Sequence, residues 1–188
     1  MVLLEGSYAG VVWTIGHSTR SLEELVGLLQ THGVRSLVDV RRFPRSRRHP
    51  QFDRVALAGD LPAAGIAYAH APGLGGFRRA APDSRNTGLH NASFRGYADY
   101  MQGAEFADHL AALLAAATEA PTTIMCAESL PWRCHRSLIA DALVARGVEV
   151  RHIMSATSAP VHTLSEAARV VEGRVTYPGQ EPLFEGGG

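Results

Sequence analysis

Two periods of apolar residues take turns along this chain. Val11 to Ile15 is a β-branched and aromatic run ending in Gly16-His17-Ser18, which predicts a buried strand. Ser21 with Glu24 is a capping box, and Leu22, Leu25, Val26, Leu28 and Leu29 recur at helical spacing until Gly33 stops them. Ser36 to Val40 is a second strand. Residues 41–51 read as a loop punctuated by Pro44 and Pro50, and 52–65 as a weaker helix limited by Pro62. Ile66 to Ala71 is a third strand, followed by an irregular stretch over 72–94 rich in Gly, Pro, Asn and Ser. Helical spacing returns over 96–117 (Tyr97, Tyr100, Met101, Phe106, Leu110, Leu113, Leu114), with Gly103 as a break point. Thr122 to Cys126 is a nearly uninterrupted apolar run, as a central parallel strand requires. A helix over 132–146, a fifth strand from Val148 to Met154 and a last helix from Leu164 to Val171 complete the pattern.

Strands alternating with helices predict a three-layer α/β/α sandwich on a mostly parallel, Rossmann-like sheet of about five strands. A single domain is expected over residues 1–177, with a loose tail over 178–188. In such sheets ligands bind beyond the carboxyl ends of the strands. The unusual residues fall there: Gly16 to Arg20 after the first strand, Asp39 to Arg42 after the second, Pro72 to Gly76 after the third, and Cys126 to Glu128 with Pro131 to Arg136 after the fourth.

Composition narrows the chemistry. The 188 residues suffice to bury a core without disulfide or metal. A formal net charge of zero excludes a globally basic nucleic-acid binder but leaves room for a local basic patch. All 18 basic residues are Arg, so mechanisms built on a lysine amine are excluded. Cys126 and Cys134 are the only cysteines, which does not describe an exported disulfide scaffold. Glu5 interrupts a short N-terminal apolar run, and the apolar helical run from Leu110 to Ala117 is far below the ~20 residues of a membrane span. A cytoplasmic protein without a membrane partner is expected. No dinucleotide or P-loop glycine pattern is present, and no cofactor is expected.

Four segments together carry a resemblance: TIGHS at 14–18, DVRRFPRSR at 39–47, LGG at 74–76 and CAESLPWRCHR at 126–136. Over roughly residues 12–154 the chain resembles the bacterial and archaeal family called domain of unknown function 488. The resemblance implies a three-layer α/β domain. It brings an association with DNA base repair but no activity to transfer.

Between Arg41 and Arg54 stand six arginines and one aspartate, Asp53, interleaved with Phe43, His49 and Phe52. Guanidinium forks bind phosphate oxygens bidentately and aromatic rings stack on bases, so Arg41, Arg42, Arg45, Arg47 and Arg48 are candidate backbone contacts; a solvated surface loop is the plainer reading. Asp39 and Glu128 are candidates to activate water or to stabilise an oxocarbenium-like transition state. Both could instead pair with nearby arginines. His17 is a candidate proton carrier or a packing residue, and Gly16 before it permits close approach of a ligand to Gly16 and Ser18. Gly75 and Gly76 supply a flexible loop, with His90 and Asn91 placed to gate a site. His135 and Arg136 open a helix where an anion is favoured, Arg136 being the better candidate and a salt bridge to Glu128 or Asp39 the alternative. Cys126 sits where thiol enzymes hold a nucleophile. Its spacing to Arg133 is C-x6-R rather than C-x5-R, and Pro131 removes a loop amide. Cys134 is expected on the inner face of that helix. The C-x7-C-H spacing is not a standard zinc pattern, so no metal is expected.

The leading expectation is an enzyme that processes nucleic acid or nucleotides, with DNA base excision by lysine-free glycosidic hydrolysis as the specific form. A non-catalytic module binding a phosphorylated small molecule is the alternative. A Cys126 thiol enzyme of the rhodanese or phosphatase type is the third reading.

Overall fold

Why the strands run in one direction follows from the alternation: each is fed by a helix that returns the chain to the same edge. The computed structural model describes residues 10–179. Its elements are β1 (Val11–Gly16), α1 (Leu22–Thr31), β2 (Ser36–Asp39), α2 (Arg54–Ala63), β3 (Ala67–His70), α3 (Ala92–Tyr100), α4 (Ala104–Glu119), β4 (Thr122–Cys126), α5 (Arg136–Val144), β5 (Glu149–His152), β6 (Arg169–Val171) and β7 (Arg174–Thr176). The first five strands form one all-parallel sheet in the order β3-β2-β4-β1-β5. All five residues of β4, at its centre, are buried.

The period-two alternation of the strands divides the core. Ile15, Leu37 and Met125 face Leu25 and Leu29 of α1 and Leu57 and Leu61 of α2. Val12, Val38, Ile124 and Val150 face α3, α4 and α5 through Tyr97, Phe106, Leu110, Leu138 and Leu143. The result is a three-layer α/β/α sandwich. Each fully buried Leu contributes roughly 1.5–3 kcal/mol. The Ser21–Glu24 capping box is formed in both directions, at 3.1 and 2.7 Å. Gly103 is the N-cap of α4 and separates it from α3.

Two expectations fail on tertiary grounds. Leu164 to Val171 is not a helix; β6 pairs antiparallel with β7 instead. Asp141 on α5 accepts from Ser165 N at 3.1 Å, His162 Nε2 at 2.8 Å and the Tyr177 hydroxyl at 2.7 Å, and so holds the segment flat against α5. Cys134 is not on the helix either. It is extended (φ −132°, ψ 147°) between a single 3-10 turn at Pro131–Arg133 and α5. The expected loose tail lies mostly outside the described residues, and Gly179 N, near its start, bonds Thr87 Oγ1 at 3.0 Å.

No helix of the described residues is long and apolar enough to cross a membrane.

Candidate functional site

Strand register brings the predicted segments to one rim. Gly16 is level with Cys126, and Asp39 is level with both Met125 and His70. Pairing continues past the strands: His17 N bonds Cys126 O and Ser18 N bonds Ala127 O, both at 2.9 Å. The β3–α3 loop closes the other side, where a β-carbon on Gly75 would stand 2.8 Å from the Arg42 backbone. His17, Asp39, Gly75 and Glu128 therefore share one edge of the sheet.

Inside this rim lies a buried ion pair. Asp39 is fully buried and accepts from Arg41 Nε at 2.8 Å, Arg41 Nη2 at 2.6 Å, Arg41 N at 3.1 Å and the Tyr68 hydroxyl at 2.9 Å. Arg41 also donates to Phe52 O at 2.7 Å and to His17 Nε2 at 3.2 Å. His17 Nδ1 donates to Ser18 O at 3.0 Å, and its ring stacks on Phe52 at 4.3 Å. Burial, with Arg41 beside it, lowers His17 to about 4. Both ring nitrogens are thus occupied in the neutral state. Asp39 and Arg41 act on one another rather than on a solvent-borne group, and the ion-pair alternative for Asp39 is the arrangement present.

A second buried cluster surrounds Cys126. Its Sγ accepts from Arg136 Nη1 at 2.6 Å and lies 2.7 Å from Cys134 Sγ. Arg136, expected as an anion-binding residue, is only 1% exposed. It pairs with neither Glu128 nor Asp39 side chains. It donates instead to the carbonyls of Glu128 at 2.5 Å, Ser129 at 2.7 Å and Ile15 at 3.4 Å, so it gathers the ends of β1 and β4. A β-carbon at Gly16 would collide with the Glu128 carbonyl, which explains glycine at that point. His135 Nε2 donates to Val40 O at 3.2 Å, leaving Nδ1 3.4 Å from Cys134 Sγ; burial, with the nearby Arg136 charge, lowers this imidazole to about 4. Gly76 packs against the same ring.

The exposed part of the rim is chemically different. Arg45, Arg47, Arg48 and Arg54 are exposed. The loop that presents them is fastened by Asp53, which accepts from Ser46 N at 2.7 Å, and by Ser46 Oγ, which accepts from His49 N at 3.0 Å. Arg42, Phe43, Arg45, Arg54 and His70 line a cleft of about 450 Å³ with Asp53 as its single carboxylate. Among the described residues Arg forms ion pairs only at Arg41–Asp39 and Arg151–Glu149, so these rim guanidinium groups have no carboxylate partner there, while Arg42 lies over the Phe43 ring at 5.8 Å. Glu128 is exposed, and among the described residues its carboxylate makes no hydrogen bond or ion pair. Phe43, Phe77 and Trp132 are 70%, 82% and 63% exposed, and Phe77 holds a φ of +61°. Beyond the Pro131–Trp132 turn lies a cavity of about 540 Å³ lined by Leu89, Phe94, Trp132, Val161, His162 and Tyr177.

Comparison with known proteins agrees with the motifs at this rim. The family model described as Domain of unknown function DUF488 matches residues 21–143. The chain belongs to this family. No curated protein and no solved structure matches it. The DUF488 match takes in the arginine loop, the glycine loop and the Cys126–Arg136 segment, and ends inside α5.

Sequence reasoning missed Tyr68 and expected Phe52 among the base-stacking rings of the arginine loop; Phe52 is instead fully buried, and with Tyr68 it completes the Asp39–Arg41–His17 cluster. It also missed a chain from Thr14 Oγ1 through His152 and His162 to Asp141, with links of 2.7, 2.9 and 2.8 Å. No motif marks that chain; only the strand register and the α5 packing assemble it. Among the described residues no cluster of three or more His, Cys, Asp or Glu is placed to hold a metal ion.

Proposed function

We propose that this DUF488 protein binds single-stranded or locally opened nucleic acid along the arginine–aromatic rim, and that Glu128 activates water for hydrolysis of a glycosidic bond there. The observation that carries this reading is the cleft of Arg42, Arg45 and Arg54 beside Phe43, whose guanidinium groups have no carboxylate partner among the described residues. Arginines without a carboxylate partner attract phosphates, and exposed rings give bases a stacking surface. Phe77 supports the same reading, because an exposed aromatic held in the left-handed region is backbone strain with no packing return. The cavity beside Trp132 has the size for one extruded base. Glu128 is assigned the water because Asp39 is fully engaged by Arg41 and Tyr68.

The test is binding of a fluorescent single-stranded oligonucleotide across salt, with R45E/R47E/R48E and Glu128→Gln as variants. Charge reversal weakens binding at least ~100-fold and flattens the salt slope. Glu128→Gln retains binding and abolishes base release from oligonucleotides carrying damaged bases. Salt-independent binding, or binding indifferent to the charge reversal, refutes the interface. A second reading, a non-catalytic phosphate-binding module, is favoured by the saturated His17 and Asp39. It predicts binding without base release in the unaltered protein.

A further inference from the structure

Among the described residues Arg136 is a buried guanidinium without a carboxylate. Its Nε has no hydrogen-bond partner among them, and its Nη groups meet three backbone carbonyls and the Cys126 sulfur. A buried cation needs a countercharge. Among its contacts only Cys126 Sγ can carry one, so the cluster is neutral when Cys126 is a thiolate. Burial alone would push this thiol up, but the Cys134 hydrogen bond and the Arg136 charge outweigh it and hold Cys126 below its ordinary value. Cys134 is driven the other way, by its hydrogen bond to Cys126 and by burial, and keeps its proton. The two thiols are therefore shifted in opposite directions while their sulfurs are in contact at 2.7 Å. His135 lies beside the pair, with Nδ1 3.4 Å from Cys134 Sγ and Nε2 3.2 Å from Val40 O.

We propose that Cys126 and Cys134 form a redox-active dithiol site that reduces a small hydroperoxide, with Cys126 attacking and Cys134 resolving. The Cys126 thiolate attacks the terminal OH oxygen of the hydroperoxide and forms an S–O bond; the O–O bond breaks, and the departing alkoxide takes from solvent the proton that Cys126 released on ionising. The Cys134 sulfur then attacks Cys126 Sγ. The S–O bond breaks, and the departing hydroxide takes the Cys134 thiol proton and leaves as water. Two thiols and one hydroperoxide become one disulfide, one alcohol and one water, a two-electron exchange. A dithiol reductant restores the site by thiol–disulfide exchange. The oxidant is small because Cys126 is 1% and Cys134 5% exposed. Neither sulfur contacts the exposed arginines of the cleft, while Arg136 Nη1 bonds both Cys126 Sγ and the Glu128 carbonyl, so the thiol count and peptide map test this site apart from the nucleic-acid reading.

The experiment treats the reduced full-length protein with hydrogen peroxide at neutral pH. Expected are loss of both thiols, a monomer lighter by two hydrogens, and a peptide map linking Cys126 to Cys134. Trp132, between the two cysteines, reports the rate by its fluorescence. Cys134→Ser stops at a sulfenic acid on Cys126 that a cyclic diketone captures, and Cys126→Ser slows oxidation of Cys134 by about tenfold or more. Two thiols that persist under peroxide sufficient to oxidise free cysteine overturn the proposal, as do links formed only between chains. An unchanged Cys134 rate in Cys126→Ser also overturns it. Should the variants fail to fold, the thiol count and peptide map of the unaltered protein decide alone.

Discussion

Replacing Asp39 by Ala separates a structural carboxylate from a catalytic one. The substitution removes the acceptor of Arg41 Nε, Arg41 Nη2, Arg41 N and the Tyr68 hydroxyl together. Arg41 stays where it is, 8% exposed, with its charge uncompensated and its remaining bonds only to Phe52 O and His17 Nε2. Breaking one partner of a buried pair costs about 3–5 kcal/mol. That is a large part of the ~5–15 kcal/mol that holds an ordinary domain together. With a urea dependence of ~2 kcal/mol per molar, the unfolding midpoint drops by about 1.5–2.5 M at unchanged slope. Asp39→Asn, which keeps an acceptor oxygen but not the charge, falls between. The assay is urea unfolding followed by circular dichroism and by tryptophan fluorescence. A midpoint shift below ~0.3 M would show that the pair is not structural, and stability unaltered beside a loss of turnover would return Asp39 to the chemistry.

Three further outcomes are expected. Phe77→Gly relieves the left-handed backbone at φ +61° and raises stability by about 1 kcal/mol, while oligonucleotide affinity falls; lower stability in chemical unfolding would contradict the strain argument. Gly16→Ala drives a methyl into the Glu128 carbonyl and towards Arg136 Nη1, costing about 1–3 kcal/mol and slowing alkylation of Cys126; unchanged stability and unchanged alkylation would refute the close approach. His17, His135 and His152 each sit near about 4 when folded, against an ordinary 6.5. Between those values the unfolded chain binds more protons, so this contribution is complete above pH 6.5, declines as pH falls towards 4, and changes no further below that. The unfolding midpoint against pH gives the slope, and a flat profile from pH 7 to 5 would count against three buried neutral imidazoles.

What could be read in advance follows from the range of the interactions. β1, α1 and β4 were legible because capping, glycine stops and apolar periodicity are local. The convergence at the strand ends was legible too, since parallel strands share one carboxyl edge. Roles inside the rim were not. Asp39 and Arg41 are two residues apart, yet only Tyr68 and Phe52, brought in by the fold, make them a closed unit. Arg136 contacts backbone carbonyls, which leave no trace in side-chain pattern. The segment after β5 had the spacing of a helix, but Asp141 claims its amide and side-chain donors and overrides propensity.

That same aspartate has a dynamic consequence. His162, Ser165 and Tyr177 all fasten to one carboxylate 2% exposed to solvent. Anchors that converge on a single atom pair release together, so amide exchange from 162 to 177 follows one shared opening event, slower or faster as a block, while the parallel sheet beneath keeps its own clock.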